Sequence, residues 1–197
     1  MIRQRSYETL TTDLPVPVDD GACDHLIGLK FPDAALKSTS SSDVDLSNID
    51  GTVVVYCYPM TGKPGVPLPD GWDQIPGARG CTPQSCSFRD RHAELSELGA
   101  KVYGVSTQTT EYQKEMVERL HIPFPILSDI NMSFCKALNI PRFIVNKTLM
   151  MKRVTMIACN GFIESVHYPV FPSNSDASWV IQHLHSLRES RLASQSE

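Results

Sequence analysis

Two cysteines five residues apart, Cys81 and Cys86, are the residues of this sequence best suited to chemistry. They follow a Gly-rich loop, and the residues between them have the composition of a helix start. Thr82 is expected to cap this helix through its hydroxyl, and Pro83 stands where a missing N–H does no harm. A cysteine in the first turn meets unpaired N–H groups and the positive end of the helix dipole, which favour the thiolate. The pattern predicts thiol redox chemistry at Cys81.

The spacing of the two cysteines limits how they can react with each other. In one continuous helix their Cα atoms are about 8–9 Å apart, given a rise of about 1.5 Å per residue. A disulfide needs Cα atoms within about 7 Å. A disulfide between Cys81 and Cys86 therefore requires the first helical turn to unwind. The competing interpretation is two structural cysteines at a helix start, because free cysteine is often simply a buried apolar residue.

The remaining cysteines carry no such pattern. Cys57 and Cys159 lie in strand-like apolar runs and Cys135 lies in a helical turn, so all three are expected to be buried. Cys23, in Cys23-Asp24-His25, belongs to no four-ligand zinc spacing and is expected on the solvated surface. The sequence therefore predicts no metal site.

Composition excludes several classes of protein. The 197 residues, 41% hydrophobic and 20% charged, suit one domain with a full core and exclude a wholly disordered chain. No apolar run approaches the roughly 20 residues that span a bilayer. A net charge of −4 argues against a nucleic acid or an anionic membrane as partner. The first twelve residues lack the features of a signal peptide, so a cytoplasmic protein is expected.

The elements that must position Cys81 are strands and helices in alternation. Strands are predicted at Thr52–Tyr58 and Lys101–Ser106, and a hairpin at Arg153–Ala158 and Phe162–Tyr168 around Asn160-Gly161. Helices are predicted from Thr82 to Gly99, from a capping-box spacing at Thr110, over Met132–Leu138 and from Asp176. The expected organisation is an N-terminal arm (1–20), one α/β domain (21–190) and a C-terminal tail (191–197). A 22-residue loop, Pro59–Gly80, with five prolines and five glycines, is expected to be ordered and functional.

With their flanking residues, the cysteines form a longer pattern. Tyr58-Pro59, followed by Gly80-Cys81-Thr82-Pro83-Gln84-Ser85-Cys86-Ser87-Phe88-Arg89-Asp90, resembles the peroxiredoxins, most of all the branch called PrxQ or bacterioferritin-comigratory proteins. Further segments that resemble the family are Gly104-Val105-Ser106, Leu127-Ser128-Asp129 and Arg153-Val154-Thr155 with Asn160-Gly161. The similarity runs from about Gly28 to Leu187. It implies an α/β thioredoxin-like fold with a central mixed β-sheet flanked by helices.

The resemblance also implies an activity and roles for individual residues. Cys81 is expected to attack hydrogen peroxide or an organic hydroperoxide and to become a sulfenic acid. Cys86 is expected to resolve it as an intramolecular disulfide, which thioredoxin or a similar dithiol protein then reduces. Arg153 matches the arginine that stabilises the thiolate and the peroxide, and Pro59 the proline that shields the pocket. No cofactor is implied, and a monomer or a homodimer is expected.

Two departures from the family pattern keep other functions open. The family places a threonine three residues before the peroxidatic cysteine, where this chain has Ala78. Thr61 is the candidate for a substitute hydroxyl donor. The loop Pro59–Gly80 is also longer than usual and could form a roomier pocket for an organic substrate. The alternatives are therefore a peroxiredoxin-fold enzyme turned to another thiol or oxidative reaction, and a non-catalytic redox sensor whose Cys81–Cys86 switch alters a partner surface.

Overall fold

A seven-stranded mixed sheet forms the centre of the structure, a computed structural model that describes residues 10–40 and 42–194. The strands in chain order are β1 (Ala35–Ser38), β2 (Val44–Asp45), β3 (Thr52–Cys57), β4 (Ala100–Ser106), β5 (Ile126–Ser128), β6 (Arg142–Val145), β7 (Thr148–Met151), β8 (Val154–Cys159) and β9 (Phe162–His167). The sheet has the order β2-β1-β5-β4-β3-β8-β9, and β6 and β7 form a separate hairpin. Strands β3, β4 and β5 are parallel, and the other pairs are antiparallel. The predicted strands in β3, β4, β8 and β9 are confirmed.

Five helices flank the sheet: α1 (Cys81–Asp90), α2 (His92–Glu97), α3 (Thr110–Leu120), α4 (Ser133–Ala137) and α5 (Asp176–Ser194). The single helix predicted from Thr82 to Gly99 is interrupted at Arg91, whose dihedral angles (φ −108°, ψ 11°) leave the helical region. Helix α3 is capped by Thr109, whose hydroxyl accepts from the N–H of Tyr112, one residue before the predicted cap.

Alternate residues of β3 point to opposite faces of the sheet, and each face is covered. Val53, Val55 and Cys57 lie in one core with α4 and the segment around Phe31. Val54, Tyr56 and Tyr58 lie in the other core with residues of α1, α2, α3 and α5. This burial on both sides explains why the strand is a nearly continuous apolar run. It also fixes α1, and with it Cys81, against the end of β3.

The loop Pro59–Gly80 is ordered, as predicted, and packs against a hairpin that the sequence did not predict. Trp72 begins a short 3-10 helix, Trp72–Gln74, and is 3% exposed. Its ring lies 6.2 Å from the ring of Phe143 on β6, centroid to centroid. Loop and hairpin therefore share a small apolar core of their own, separate from the two cores of the sheet.

The ends of the described chain lie against the domain. Pro17 contacts Gly77 of the long loop, and Asp20 accepts hydrogen bonds from Tyr168 Oη (2.9 Å) and Lys152 Nζ (3.1 Å). Helix α5 continues through Ser194, so it occupies the first part of the predicted tail; residues 1–9 and 195–197 lie outside the described residues. The domain boundaries remain predictions. No helix in the described ranges is both long and apolar enough to cross a membrane.

Candidate active site

Cys81 is the first residue of α1, and Gly80 turns the chain into the helix. Gly80 has φ +105°, a conformation that favours glycine, and a Cβ there would meet Ser173 Oγ at 2.2 Å. The expectation that Thr82 caps the helix is wrong. The helix starts one residue earlier, and its N-cap position, Gly80, makes no side-chain hydrogen bond. Cys81 is therefore the first residue of the helix, where the backbone N–H groups have no partner within the helix.

Arg153, at the start of β8, reaches across to the sulfur. Its Nη2 lies 3.3 Å from Cys81 Sγ and 3.2 Å from each of three carbonyl oxygens, those of Gly77, Ala78 and Arg79. The side chain is 4% exposed, so its charge is poorly screened by water. This contact supports the prediction that Arg153 acts on the Cys81 thiolate. The same nitrogen also holds the last turn of the long loop above the sulfur.

A buried polar network orients this arginine. Arg153 Nη1 donates to Gln84 Oε1, and Gln84 Nε2 donates to Asp176 Oδ2 (2.7 Å). The same carboxylate accepts from Thr155 Oγ1 (2.7 Å) and pairs with His167 Nδ1 (2.9 Å). Asp176 and Gln84 are both fully buried. Sequence reasoning placed Gln84 within the motif but assigned it no role, and took Asp176 only as the start of α5.

The cavity beside Cys81, called the Cys81 cavity below, is narrow, with a volume of about 10 Å³. It is lined by Met60, Gly62, Leu68, Trp72, Arg79, Gly80, Cys81 and Thr82. That volume holds about one water-sized molecule. The long loop therefore narrows the approach to the sulfur on this side. Its residues Ile75 and Gly77 also line, with Arg153, a larger cavity of about 310 Å³, so the roomier pocket considered from the sequence stays a prediction.

Pro59 and Thr61 are both expected from the sequence to lie beside Cys81, and neither is among the residues that line the Cys81 cavity. Pro59 is buried at the end of β3, and its role as a shield remains a prediction. Thr61 donates its hydroxyl to Gln108 Oε1 (3.1 Å) and is not among the residues that line the Cys81 cavity. The expected substitute hydroxyl is thus held elsewhere. The carbonyl of Ala78, rather than any side chain at that position, contacts the sulfur (3.5 Å).

The other arginines of the motif serve other contacts. Arg79 pairs with Asp73 (Nη1 to Oδ1, 3.2 Å) inside the long loop. Arg89 donates to Asp90 Oδ1 (2.8 Å) and to the carbonyl of Leu120 at the end of α3 (2.9 Å). Arg153 is the arginine in hydrogen-bond contact with the sulfur.

Cys86 lies one and a half turns along α1 from Cys81, half-buried, on an open groove that it shares with Pro83 and Asn174. Neither Cys81 nor Cys86 is in a disulfide, and both lie in one continuous helix. The distance predicted between the Cα atoms of Cys81 and Cys86 in a continuous helix therefore applies to this reduced form. A disulfide between the two residues requires α1 to unwind.

Three further cysteines are buried in the core that contains α4: Cys23, Cys57 and Cys135. Burial, with the charge of Asp20 adding to it, raises the pKa of Cys23 to about 12. Burial and the charge of Asp129 raise the pKa of Cys135 to about 11, and burial places the pKa of Cys57 well above its ordinary value. The prediction that Cys23 lies on the surface is wrong, because its segment packs beneath the sheet. All three remain thiols at neutral pH.

The described residues also contain a second cavity, and they were compared with the requirements of a metal site. A larger cavity of about 310 Å³ lies between the N-terminal segment at Val16 and the long loop at Ile75, but Cys81 is not among its lining residues. Within residues 10–40 and 42–194, no group of three or more His, Cys, Asp or Glu side chains is arranged to hold a metal ion.

Comparison with known proteins agrees with this geometry. The Redoxin family model matches residues 26–181. The chain is 29% identical over 158 residues to the chloroplastic peroxiredoxin Q of Sedum lineare, a match that covers 80% of this chain and 76% of that protein. It is 32% identical over 115 residues to peroxiredoxin Bcp of Bacillus subtilis (58% of this chain, 64% of that protein). The crystal structure of peroxidoxin BcpB from Mycobacterium tuberculosis superposes with a TM-score of 0.66 at 24% identity, covering 81% of this chain and 96% of that one.

The chain therefore belongs to the Redoxin family, and its mixed sheet with flanking helices is a thioredoxin-like fold. Within that family it is a peroxiredoxin of the branch that contains peroxiredoxin Q and Bcp, which makes it a thiol-dependent peroxidase.

Proposed function

We propose that this enzyme reduces hydroperoxides with Cys81 as the attacking thiolate. The observation that carries the proposal is the contact of Arg153 Nη2 with Cys81 Sγ (3.3 Å) at the start of α1. The sulfur attacks the terminal oxygen of ROOH, an S–O bond forms, and the O–O bond breaks. The leaving alkoxide or hydroxide takes a proton to become ROH or water, and Cys81 becomes a sulfenic acid.

We further propose that Cys86 completes the cycle. Its thiol attacks the Cys81 sulfenic acid, the S–O bond breaks, and a disulfide and water are formed. A dithiol protein of the thioredoxin type then reduces the disulfide, so two electrons pass from that dithiol to the hydroperoxide. Both cysteines lie on α1, and the half-exposed position of Cys86 supports access by such a reductant.

Peroxide consumption by three matched proteins tests the nucleophile. We expect wild type and Cys159→Ser, which alters a half-buried cysteine of β8, to consume hydrogen peroxide with a thioredoxin system. Cys81→Ser should consume none. Equal consumption by Cys81→Ser and wild type would assign the reaction to another residue.

The role of Cys86 has a separate test. In Cys86→Ser, hydrogen peroxide should still produce a sulfenic acid at Cys81, detectable with a dimedone probe and mass spectrometry. Turnover with thioredoxin should fall, because no intramolecular disulfide can form. Unchanged turnover would mean that Cys86 is not the resolving residue.

The state of assembly and the compartment remain sequence-based proposals. A monomer or a homodimer and a cytoplasmic location are proposed, although the relative from Sedum lineare is named as chloroplastic. Size-exclusion chromatography with light scattering tests the first, and cell fractionation tests the second.

A further inference from the structure

The long loop supplies most of the wall of the Cys81 cavity. Six of the eight lining residues, from Met60 to Gly80, belong to it, and the other two are Cys81 and Thr82. Trp72 is the largest of the six. Leu68 and Met60 add two further large side chains, so the wall beside the sulfur is bulky.

This wall is fixed from several sides. Trp72 packs in one cluster with Ala78, Val145 and Met150, and β6 and β7 carry the last two. The backbone of the loop is joined by hydrogen bonds from Ile75 N to Trp72 O (3.3 Å) and from Ala78 N to Ile75 O (3.1 Å). The hydrogen bonds from Arg153 hold the end of the loop as well. A large substrate group on this side of the sulfur therefore meets a packed tryptophan.

We propose that Trp72 determines substrate size: the loop selects hydrogen peroxide and small primary hydroperoxides over bulky tertiary or aryl hydroperoxides. This inference rests on the proposed peroxidase function. During the attack the S–O bond forms on the terminal oxygen while the departing oxygen, with its substituent, lies on the far side of the breaking O–O bond. For hydrogen peroxide that substituent is a hydrogen atom. For cumene hydroperoxide it is a branched aryl group, far larger than the water-sized space beside Cys81, so it must lie against Trp72 and Leu68 or displace them.

The test is a series of substrates on reduced protein. The single-turnover rate of disulfide formation is measured by quenched-flow mass spectrometry with hydrogen peroxide, ethyl hydroperoxide, tert-butyl hydroperoxide and cumene hydroperoxide. For wild type we expect the rate constant to fall as the substituent grows. For Trp72→Ala we expect the ratio of the cumene to the hydrogen peroxide rate constant to rise by about tenfold or more, the range for changed side-chain volume in an apolar pocket.

The matched control is Ile144→Ala, which removes an exposed side chain of β6 that belongs neither to this cluster nor to the cavity wall. Its ratio should stay at the wild-type value. If Trp72→Ala does not fold, Leu68→Ala opens the same wall from a half-buried position, and its ratio should rise as well.

The outcomes separate the inference from the proposed function. Equal rate constants for hydrogen peroxide and cumene hydroperoxide in wild type would overturn the size selection and leave the peroxidase intact. If the ratio of the cumene hydroperoxide to the hydrogen peroxide rate constant is unchanged in Trp72→Ala or Leu68→Ala, the size selection is also overturned and the peroxidase function stands. No oxidation of wild type by any of the four substrates would overturn the peroxidase itself.

Discussion

One guanidinium nitrogen at Arg153 serves both the sulfur and the loop above it. A charged donor to a thiolate makes a stronger hydrogen bond than a neutral one, and burial of the side chain limits screening. Because three loop carbonyls share the same nitrogen, electrostatic support for Cys81 and the closure of the cavity depend on one residue.

Replacement of this residue should therefore slow the reaction. In Arg153→Met we expect iodoacetamide alkylation and peroxide oxidation of Cys81 at neutral pH to fall by about tenfold or more, since a nearby opposite charge stabilises the ionised form by that order. Arg142→Met removes an exposed arginine of β6 and is the control. Equal rates in the two variants would show that Arg153 does not support the thiolate.

Asp176 is connected to the Cys81 sulfur through two residues, Gln84 and Arg153. A carboxylate only accepts hydrogen bonds, so it holds the NH₂ end of Gln84 and leaves the amide oxygen facing Arg153. In Asp176→Leu the amide loses this restraint, and the alkylation of Cys81 should become slower and its pH profile should move to higher pH.

Asp176→Asn keeps an oxygen acceptor for Gln84 and for Thr155 and should restore most of the rate. Each unpaired buried partner in Asp176→Leu also costs about 1–3 kcal/mol of stability, so thermal unfolding is measured in parallel. A wild-type pH profile in Asp176→Leu would confine Asp176 to a structural role.

Among the elements, α1 carries both Cys81 and Cys86, and the proposed disulfide between them requires this helix to change shape. The helical spacing places their Cα atoms about 8–9 Å apart, beyond the roughly 7 Å that a disulfide spans. We expect oxidised protein to show faster hydrogen exchange at residues 81–86 than reduced protein. The amides of α3, which lies in the same core, are the internal control. Unchanged exchange in α1 after verified disulfide formation would contradict the unwinding.

The elements that the sequence predicts well are those with a strong periodic pattern or a distinctive turn. Strand β3 is a long apolar run, and the β8–β9 hairpin turns at Asn160-Gly161. The β6–β7 hairpin turns at Asn146-Lys147, where both residues have positive φ without a glycine to indicate it. Strands β1, β2 and β5 have four, two and three residues, too few to display a period.

The site was predictable where a residue belongs to the motif and unpredictable where tertiary structure supplies the partner. The motif alone identifies three candidate site residues, Cys81, Cys86 and Arg153. The contact between Gln84 and Asp176 joins residues 92 positions apart, and no local pattern encodes it. Thr61 is the sequence candidate for the substitute hydroxyl, but in the fold that hydroxyl donates to Gln108 Oε1, a partner that no local pattern indicates.

Over the whole molecule, Asp20 ties the N-terminal segment to the hairpin side of the sheet. Hydrogen bonds from Tyr168 and then Lys152 lower the pKa of Asp20 below 3.8. A lowered pKa means that this tie stabilises the fold above pH about 4 and is lost as the carboxylate is protonated at lower pH. We expect the protection factors of amides in residues 10–20, which are corrected for the pH dependence of intrinsic exchange, to fall below that pH.

In Asp20→Asn the amides of residues 10–20 should exchange faster than in wild type at neutral pH. In Asp13→Asn, which changes an exposed residue of the same segment, they should exchange at the wild-type rate. Identical exchange in wild type and Asp20→Asn at neutral pH would show that the segment is held by its apolar contacts alone.

The burial of Cys23, Cys57 and Cys135 has a consequence for the fidelity of the catalytic cycle. A sulfenic acid can be captured by any thiolate that reaches it, and each wrong capture would yield a crosslinked, inactive isomer. These three side chains are protonated at neutral pH and enclosed on the opposite side of the sheet from Cys81. The sheet therefore separates these three thiols from Cys81, and Cys86, on the same helix as Cys81, is the proposed partner of its disulfide.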